Sequence, residues 1–229
     1  MQAQLLGASS PCETVVLVDE RCAVADVLLS KALAGPKLFP VRDAAKARMA
    51  QATEERPCWN PPEVMYIMYT SGSTGKPKGC LVPTSGVWHR FGWGTKLLGF
   101  DASDIFILKT PSTFDCSIPE MWVPMYVGCT SVIVPDGQHL DFEVVRETMS
   151  RSRVTVAHFV PSVLSLFLDF VSPGDLPALR QISCTGEALL LSHREKLTKK
   201  LGRALPLYNL YGPTEAAIEV TYFDAKDDT

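Results

Sequence analysis

Glycines, lysines and residues with hydroxyl side chains are concentrated in residues 70–79, directly after an apolar stretch that begins at Tyr66. Glycine permits tight turns and lets a ligand approach the backbone closely. Hydroxyl groups and exposed backbone N–H groups suit phosphate oxygens, and lysine adds a positive charge on a flexible stem. The pattern therefore predicts a strand followed by a polyphosphate-binding loop. The predicted binding residues are Thr70, Ser71, Gly72, Ser73, Thr74, Gly75 and Lys78.

This loop differs from a Walker loop, which has a longer spacer between its first glycine and its Gly-Lys pair. Here the pair Ser73 and Thr74 separates Gly72 from Gly75, and Pro77 follows Lys76. A proline in this position disfavours a helix that continues through the preceding residue. We therefore expect a flexible loop to hold the phosphates, with little contribution from a helix dipole.

Residues 70–79 resemble the signature loop of the adenylate-forming superfamily, which includes acyl-CoA synthetases, luciferases and the adenylation domains of nonribosomal peptide synthetases. The resemblance implies that the loop binds ATP and that Lys78, as a catalytic residue, contacts its β- and γ-phosphates. Residues 184–189 resemble the family's Gly-Glu-Ala-Leu turn beside the adenine, which implies nucleotide contacts for Gly186 and Glu187. Because glycine turns are common at strand ends, residues 184–189 also fit an ordinary turn.

Residues 209–215 resemble the second nucleotide-binding motif of the same family, and they follow the first motif in the expected order. The resemblance implies that Tyr211 stacks on adenine, next to Gly212, while Asn209 contacts the adenine edge. It further implies that Thr214 lies near the α-phosphate as a catalytic residue and that Glu215 binds Mg²⁺. Mg²⁺ sites commonly combine one or two carboxylates with substrate phosphates.

The segment Phe114-Asp115-Cys116-Ser117 resembles a motif of the amino-acid-activating branch, in which the aspartate pairs with the substrate's α-ammonium group. An acidic group in a mainly apolar pocket is costly unless it meets a cation. The alternative is that Asp115 or Ser117 caps a helix that begins near Ile118. The resemblance implies a substrate pocket formed by Asp115, Cys116, Pro119, His158, Ser183, Thr185, Leu210, Ile218 and Glu219.

Strand and helix patterns alternate from residue 104 onward. Such alternation predicts an α/β fold, with a layered and mainly parallel sheet flanked by helices, as in the large N-terminal domain of adenylate-forming enzymes. Ser192 and Glu195 form a capping-box pattern at the start of the last helix. The expected strands are residues 104–108, 130–134, 154–160, 179–184, 206–210 and 218–222, and the expected helices are residues 118–127, 142–151, 162–170 and 192–201.

The first part of the sequence has weaker signals. Residues 15–18 fit a strand, residues 42–49 fit a helix, and the prolines of residues 54–62 indicate a linker. Residues 1–57 match the family loosely, so we expect them to pack partly on an adenylation core formed by residues 58–229. That core lacks counterparts of the family's ribose-binding aspartate, hinge and C-terminal lysine domain, and it lacks a carrier domain with a phosphopantetheine serine. We therefore expect part of an adenylation domain.

Composition limits the other function classes. The 229 residues have a net charge of −3 with acidic and basic residues intermixed, which gives no reason to expect nucleic acid or an anionic membrane as a partner. The seven cysteines show no C-x-x-C spacing, which argues against a zinc site and a disulfide framework and favours a reducing cytoplasm. No apolar run reaches the length of a membrane helix.

The combined patterns predict ATP- and Mg²⁺-dependent activation of an amino acid as an aminoacyl-adenylate, with release of pyrophosphate. A carrier domain with phosphopantetheine is the implied partner. Two alternatives remain from the sequence: a fragment of an acyl- or aryl-CoA ligase, and a nucleotide-binding remnant without turnover. Whether Asp115 faces the substrate pocket distinguishes the amino-acid-activating enzyme from the acyl- or aryl-CoA ligase.

Overall fold

The computed structural model describes the backbone of residues 15–18, 37–40, 63–71 and 76–225, and the side chains of the last two ranges. The chain divides into two compact units, Met1–Asn60 and Pro61–Thr229. In the first unit, strand β1 (Val15–Val18) pairs in parallel with strand β2 (Lys37–Pro40), so the strand expected at residues 15–18 is confirmed. The helix expected at residues 42–49 and the linker expected at residues 54–62 lie outside the described residues.

The second unit is built on a six-stranded sheet. Its strands, in the order in which they lie side by side, are β10, β9, β8, β7, β5 and β6. Every pairing is parallel except that of β9 with β10, which confirms the mainly parallel α/β fold. The strands are β5 (Ile105–Leu108), β6 (Thr130–Ile133), β7 (Val156–Phe159), β8 (Gln181–Cys184), β9 (Leu207–Tyr211) and β10 (Thr221–Asp224).

Helices cover both faces of this sheet, because neighbouring strand residues point to opposite sides. On one face, Phe106 and Val156 pack with the helices α1 (Thr84–Leu98) and α2 (Ser117–Val127). On the other, Ile107 and Ala157 join a core that includes residues of the remaining helices. Those helices are α3 (Phe142–Arg151), α4 (Pro161–Leu168) and α5 (Leu191–Leu201).

An antiparallel hairpin precedes the sheet and was not predicted beyond its first strand. Strand β3 (Val64–Thr70) pairs with strand β4 (Lys78–Pro83), and Thr70 lies opposite Lys78 at the open end of the loop. Helix α1 follows β4 directly and was also missed by the sequence analysis. The described ends of the glycine-rich segment, residues 70–71 and 76–79, therefore lie at the ends of two antiparallel strands.

Two local expectations are wrong. Helix α5 begins at Leu191, and the His193 side chain accepts the Leu190 N–H through Nδ1 at 3.0 Å, where a Ser192–Glu195 capping box was expected. The last strand begins at Thr221, because Ala217 and Ile218 adopt positive φ angles of 61° and 82° that are incompatible with a strand. Among the described residues, no helix is long and apolar enough to cross a membrane.

Candidate functional site

Four of the predicted substrate-pocket residues lie at the carboxyl edge of the parallel sheet, meaning the edge at which these strands end. His158 in β7 is paired in register with Ser183 in β8, while Thr185 follows β8 and Leu210 lies near the end of β9. All four are buried. Ligands of open α/β sheets bind outside the carboxyl ends of the strands, so this edge is the expected place for a site.

A small cavity lies between the sheet and the helices α1 and α2. Its volume is about 20 Å³, which is room for one water-sized group. The residues that line it include three predicted pocket residues, Pro119, His158 and Ser183, together with Arg90 and Glu120, which the sequence analysis did not select. The structure therefore brings residues from five chain segments, those of α1, β5, α2, β7 and β8, to one cavity.

His158 is a neutral, buried residue of this cavity. Its Nδ1 shares a hydrogen bond with the Ser183 hydroxyl at 2.9 Å, whereas its Nε2 is buried without a hydrogen-bond partner among the described residues. Burial, reinforced by the positive charges of Lys109 and Arg90, lowers the pKa of His158 to about 3. At neutral pH the imidazole is therefore an uncharged hydrogen-bonding group.

Glu219 is buried beside the cavity-lining Arg90 and forms an ion pair with it, with 2.5 Å between Oε2 and the Arg90 Nε. Burial raises the pKa of Glu219, and the charge and hydrogen bond of Arg90 oppose that rise. The pairing leaves the other Glu219 oxygen, Oε1, and the Arg90 nitrogen Nη1 buried and without partners among the described residues. Glu219, the acidic residue at a predicted pocket position, is therefore paired with a positively charged residue of the same chain.

The backbone around Glu219 is arranged tightly. Ala217 and Ile218 precede it with positive φ angles, and for a β-branched residue such as Ile218 this conformation is rare and strained. A Cβ added to Gly212 would lie 2.5 Å from the Glu219 Cα and 2.5 Å from the Ile218 carbonyl oxygen. Glycine at residue 212 therefore allows the strained turn to pass close to the end of β9, which places Glu219 in the core.

Arg90 is held from several sides on helix α1. Its guanidinium carbon lies 5.0 Å from the centroid of the Trp93 ring. A Cβ added to Gly94 would lie 2.1 Å from the Arg90 Nη1, so the missing side chain at residue 94 provides the space for the guanidinium. Arg90 lies on the same buried face of α1 as Val87, Gly94 and Leu98. A charged residue at a position where the helical pattern requires an apolar one was the sequence feature that could have indicated its role.

Asp115 lies half-buried in the turn before helix α2. The helix is capped at Cys116 without a side-chain hydrogen bond, and the Ser117 hydroxyl donates to the Phe114 carbonyl at 2.6 Å. The alternative in which Asp115 or Ser117 provides a side-chain cap is therefore not realised. Burial is the main cause of the raised pKa of Tyr66, and the negative charge of Asp115 is the second. The same charge also raises the pKa of Glu219.

A second buried carboxylate, Glu120, holds the segment that leads to Asp115, and sequence analysis missed it. The Glu120 side chain accepts the backbone N–H groups of Lys109 and Thr110 at 2.9 and 2.8 Å and the Thr110 hydroxyl at 2.8 Å. The Lys109 ammonium group donates to Glu120 at 3.1 Å and lies 4.3 Å from the centroid of the Phe159 ring. Charge and hydrogen-bond demand are both satisfied here, so Glu120 fixes the loop between β5 and α2.

The two predicted nucleotide motifs lie close to each other. Strand β4, which begins at Lys78, contacts the 3₁₀ turn Thr214–Ala216 of the second motif. Burial raises the pKa of Cys80 in β4, and the charges of Glu215 and Asp115 raise it further. The charges of both carboxylates therefore act on the same thiol in β4.

The side chains of the nucleotide motifs that the structure describes are mostly accessible. Ser71 and Lys78 are exposed, as are Tyr211 and Glu215. Thr214 and Gly212 are half-buried, and Asn209 lies within β9 with its side chain half-buried. Thr70 ends strand β3, whereas the four predicted residues between Ser71 and Lys76 lie outside the described residues; they are Gly72, Ser73, Thr74 and Gly75.

The Gly186–Glu187 turn also has a structural role. Gly186 has a φ of +88°, a conformation that glycine adopts without strain. The Glu187 carboxylate accepts the backbone N–H and the hydroxyl of Ser162 at 3.1 and 3.0 Å, close to the start of helix α4. Of the remaining predicted pocket residues, Cys116 and Ile218 are buried, and burial raises the pKa of the Cys116 thiol to about 12.

The cavity-centred arrangement can bind a small polar group, while the exposed hydroxyl, lysine and carboxylate groups beside it suit a phosphate and a cation. No group of three or more potential metal ligands occurs within residues 63–71 and 76–225. Glu215 by itself fits a Mg²⁺ site completed by phosphate oxygens, since this ion is commonly bound through one or two carboxylates together with substrate phosphates.

A model of the family described as AMP-binding enzyme matches residues 5–229. The chain is 41% identical over 176 residues to phosphinothricin tripeptide synthetase PhsB of Streptomyces viridochromogenes, which covers 76% of this chain and 15% of that protein. It is 39% identical over 178 residues to zwittermicin A synthase ZmaJ of Bacillus cereus, with 75% of this chain and 34% of that protein covered.

Among solved structures, the chain is similar to the Vibrio cholerae adenylation domain AlmE in complex with glycyl-adenosine-5′-phosphate. The TM-score is 0.65 at 28% sequence identity, and the match covers 93% of this chain and 39% of that one. The chain therefore spans well under half the length of each of these three proteins.

Proposed function

This chain belongs to the AMP-binding enzyme family, and from that premise we propose that it activates the carboxylate of an amino acid with ATP, forming an aminoacyl-adenylate and releasing pyrophosphate. The observation that carries the proposal is the juxtaposition around β4: the Glu215 turn, Asp115 and the end of the glycine-rich loop all lie close to this strand. A nucleotide and an ammonium-bearing substrate would then meet at one edge of the sheet.

The proposed reaction needs positioning and charge stabilisation more than covalent help from the protein. A substrate carboxylate oxygen attacks the α-phosphorus of ATP, a new O–P bond forms, and the bond to the bridging oxygen breaks as pyrophosphate leaves. Lys78 and the hydroxyl groups of residues 70–74 would hold the β- and γ-phosphates. Thr214 would orient the α-phosphate, and Glu215 would hold Mg²⁺, which neutralises phosphate charge when bound.

Asp115 determines the substrate class in this proposal. Its carboxylate lies half-buried next to the buried Tyr66 hydroxyl and the Arg90–Glu219 pair, where an unpaired negative charge is costly. An α-ammonium group would neutralise it, whereas a fatty acid would not. The similarity to the tripeptide synthetase PhsB and to AlmE, which was solved with glycyl-adenosine-5′-phosphate, supports this class. We further propose that the product passes to a carrier domain bearing phosphopantetheine.

Matched adenylate analogues test the proposal by calorimetry. We expect a sulfamoyl adenosine that carries an aminoacyl group to bind at least about 10-fold more tightly than its deaminated counterpart, because charge-assisted contacts contribute about 1.5–3 kcal/mol. Asp115→Asn should abolish that preference and keep ATP affinity. Lys78→Ala should weaken ATP and both analogues together. Equal affinity for the two analogues in the wild-type chain would favour an acyl- or aryl-activating enzyme.

A further inference from the structure

We propose that Arg90, through its ion pair with Glu219, makes the floor of the substrate pocket electrically neutral and selects amino acids with a small hydroxyl-bearing side chain. This inference rests on the proposed function and identifies the substrate class of the same site. Arg90 comes from helix α1, outside every motif that the sequence analysis selected.

The first support is the charge balance of the cavity. A lone buried Glu219 would favour a cationic substrate side chain, but Arg90 already lies 2.5 Å from its Oε2. Glu120, the carboxylate that lines the cavity itself, is paired with Lys109. Since His158 is neutral, each buried charge beside the cavity has a partner of opposite sign. A lysine-like or aspartate-like side chain would therefore add an uncompensated charge, which is costly to bury.

The second support is the hydrogen-bonding capacity that the ion pair leaves open. Arg90 Nη1 is a donor and Glu219 Oε1 is an acceptor, and both are buried without partners within the described part of the chain. His158 Nε2 is a third such atom. Buried polar groups are normally hydrogen-bonded, and a group left unpaired costs about 1–3 kcal/mol. A hydroxyl in the cavity can accept from Arg90 and form a hydrogen bond with His158 Nε2, because both residues line it, whereas a methyl group can do neither.

The third support is size. The cavity of about 20 Å³ admits one water-sized group, such as a hydroxyl, and is too small for a carboxamide or an aromatic ring. Arg90 and Leu98 both line it, and Gly94 lies between them on the same face of α1, because residues four apart in a helix are neighbours. Nη1 occupies the space over Gly94, so the size of residue 94 controls where the guanidinium lies.

The first experiment compares seryl-, alanyl- and lysyl-sulfamoyl adenosine binding to the wild-type chain by calorimetry. We expect the seryl probe to bind about 10- to 100-fold more tightly than the alanyl probe, because hydrogen bonds to charged groups contribute about 1.5–3 kcal/mol. The lysyl probe should be the weakest. Similar affinity for the seryl and alanyl probes, with both preferred over a deaminated analogue, would overturn the inference and leave the proposed function intact.

The second experiment changes Arg90. Arg90→Ala removes the counter-ion of Glu219 and opens space, so the lysyl probe should gain at least about 10-fold in affinity relative to the seryl probe. A purely structural role of Arg90 would weaken all three probes alike and would produce no gain for the cation. Adding Glu219→Gln to Arg90→Ala should remove the gain, because the buried carboxylate is then absent.

Two glycines on helix α1 provide a matched pair that leaves every charge in place. A Cβ at Gly94 would collide with the Arg90 guanidinium at 2.1 Å, whereas a Cβ at Gly92 would meet the Tyr126 hydroxyl at an ordinary 3.7 Å. Both changes to alanine should favour the helix equally. Gly94→Ala should reduce the preference for the seryl over the alanyl probe about 10-fold, and Gly92→Ala should leave it unchanged. An unchanged preference in Gly94→Ala would overturn the inference.

If no aminoacyl probe binds the wild-type chain, the inference fails together with the proposed function. Thermal unfolding of each variant shows whether it is folded. Because Gly94→Ala and Gly92→Ala carry the same substitution in the same helix, a difference between them in probe selectivity cannot come from helix propensity.

Discussion

The two edges of the parallel sheet each contain a buried carboxylate paired with an arginine, and the two pairs differ in how completely their hydrogen bonds are satisfied. At the amino edge, where β5 and β8 begin, Asp104 pairs with Arg180. At the carboxyl edge, Glu219 pairs with Arg90. The closest nitrogen–oxygen distance is 2.5 Å in both cases, so distance alone does not distinguish them.

The amino-edge pair has a complete set of partners. Asp104 accepts from Arg180 Nε and Nη2 at 2.6 and 2.5 Å, from the Thr155 hydroxyl at 2.8 Å and from the Asp101 N–H at 2.9 Å. Burial by itself would raise the pKa of Asp104, but these hydrogen bonds and the Arg180 charge lower it below its ordinary value. A carboxylate held in this way joins the starts of three strands.

The carboxyl-edge pair leaves donor and acceptor atoms unused beside a cavity, and burial raises the pKa of Glu219 above its ordinary value. The comparison teaches that a buried ion pair is structural when its hydrogen bonds are complete, and is a candidate ligand site when they are not.

Removing each arginine should separate the two pairs most clearly. Arg180→Met leaves Asp104 buried and charged and should lower the free energy of unfolding by about 3 kcal/mol, at the low end for a buried pair because solvent reaches the guanidinium. Arg90→Met should cost less at pH 7, because Glu219 already has a raised pKa and takes up a proton more readily. Urea unfolding measures both, and equal losses would contradict the distinction.

The pH dependence of stability should also differ between the edges. The His158 pKa is lowered to about 3, so the unfolded chain binds a proton below about pH 6.5 that the folded chain does not. Relative to His158→Gln, the wild type should lose up to about 1.4 kcal/mol per pH unit as the pH falls from about 6 to 4. Asp104, whose pKa is lowered, contributes stability that is lost only below about pH 4.

Urea unfolding at a series of pH values checks this prediction. The difference between the wild type and His158→Gln should change between pH 6 and 4, whereas the difference between the wild type and Asp104→Asn should stay constant there. A pH-independent difference for His158→Gln would show that the imidazole is accessible to solvent.

The smallest effects concern the hydroxyl groups that support each edge. Thr155→Val removes a hydrogen bond to the charged Asp104 and one from the Ile105 N–H at 2.9 Å, and should cost about 1.5–3 kcal/mol. Ser183→Ala removes a bond between neutral groups and should cost about 0.5–1.5 kcal/mol. Only Ser183→Ala should change the affinity for aminoacyl-sulfamoyl adenosines. An affinity change in Thr155→Val would contradict the assignment of the amino edge to structure.

Much of the sheet could be predicted because its strands are short apolar runs buried on both faces, as in Val156–Phe159. Helix α1 was missed because glycines and Arg90 interrupt its pattern of apolar residues. The reason for these residues is their packing against Glu219 and Tyr126, which only the folded structure reveals. The expected final strand was wrong in its start for a similar reason. Ala217 and Ile218 have no turn propensity that indicates positive φ angles.

The sequence by itself determined the family resemblance, the mainly parallel sheet and the order of the nucleotide motifs, because each depends on residue types at short spacings. Only the tertiary structure decided which groups share a cavity. Arg90 and Glu219 are 129 residues apart in the chain, and their ion pair depends on the space at Gly94 and the close passage at Gly212. A local pattern can mark an acidic position, but the charge that balances it is set by packing between distant segments, because buried ions require a partner wherever the fold supplies one.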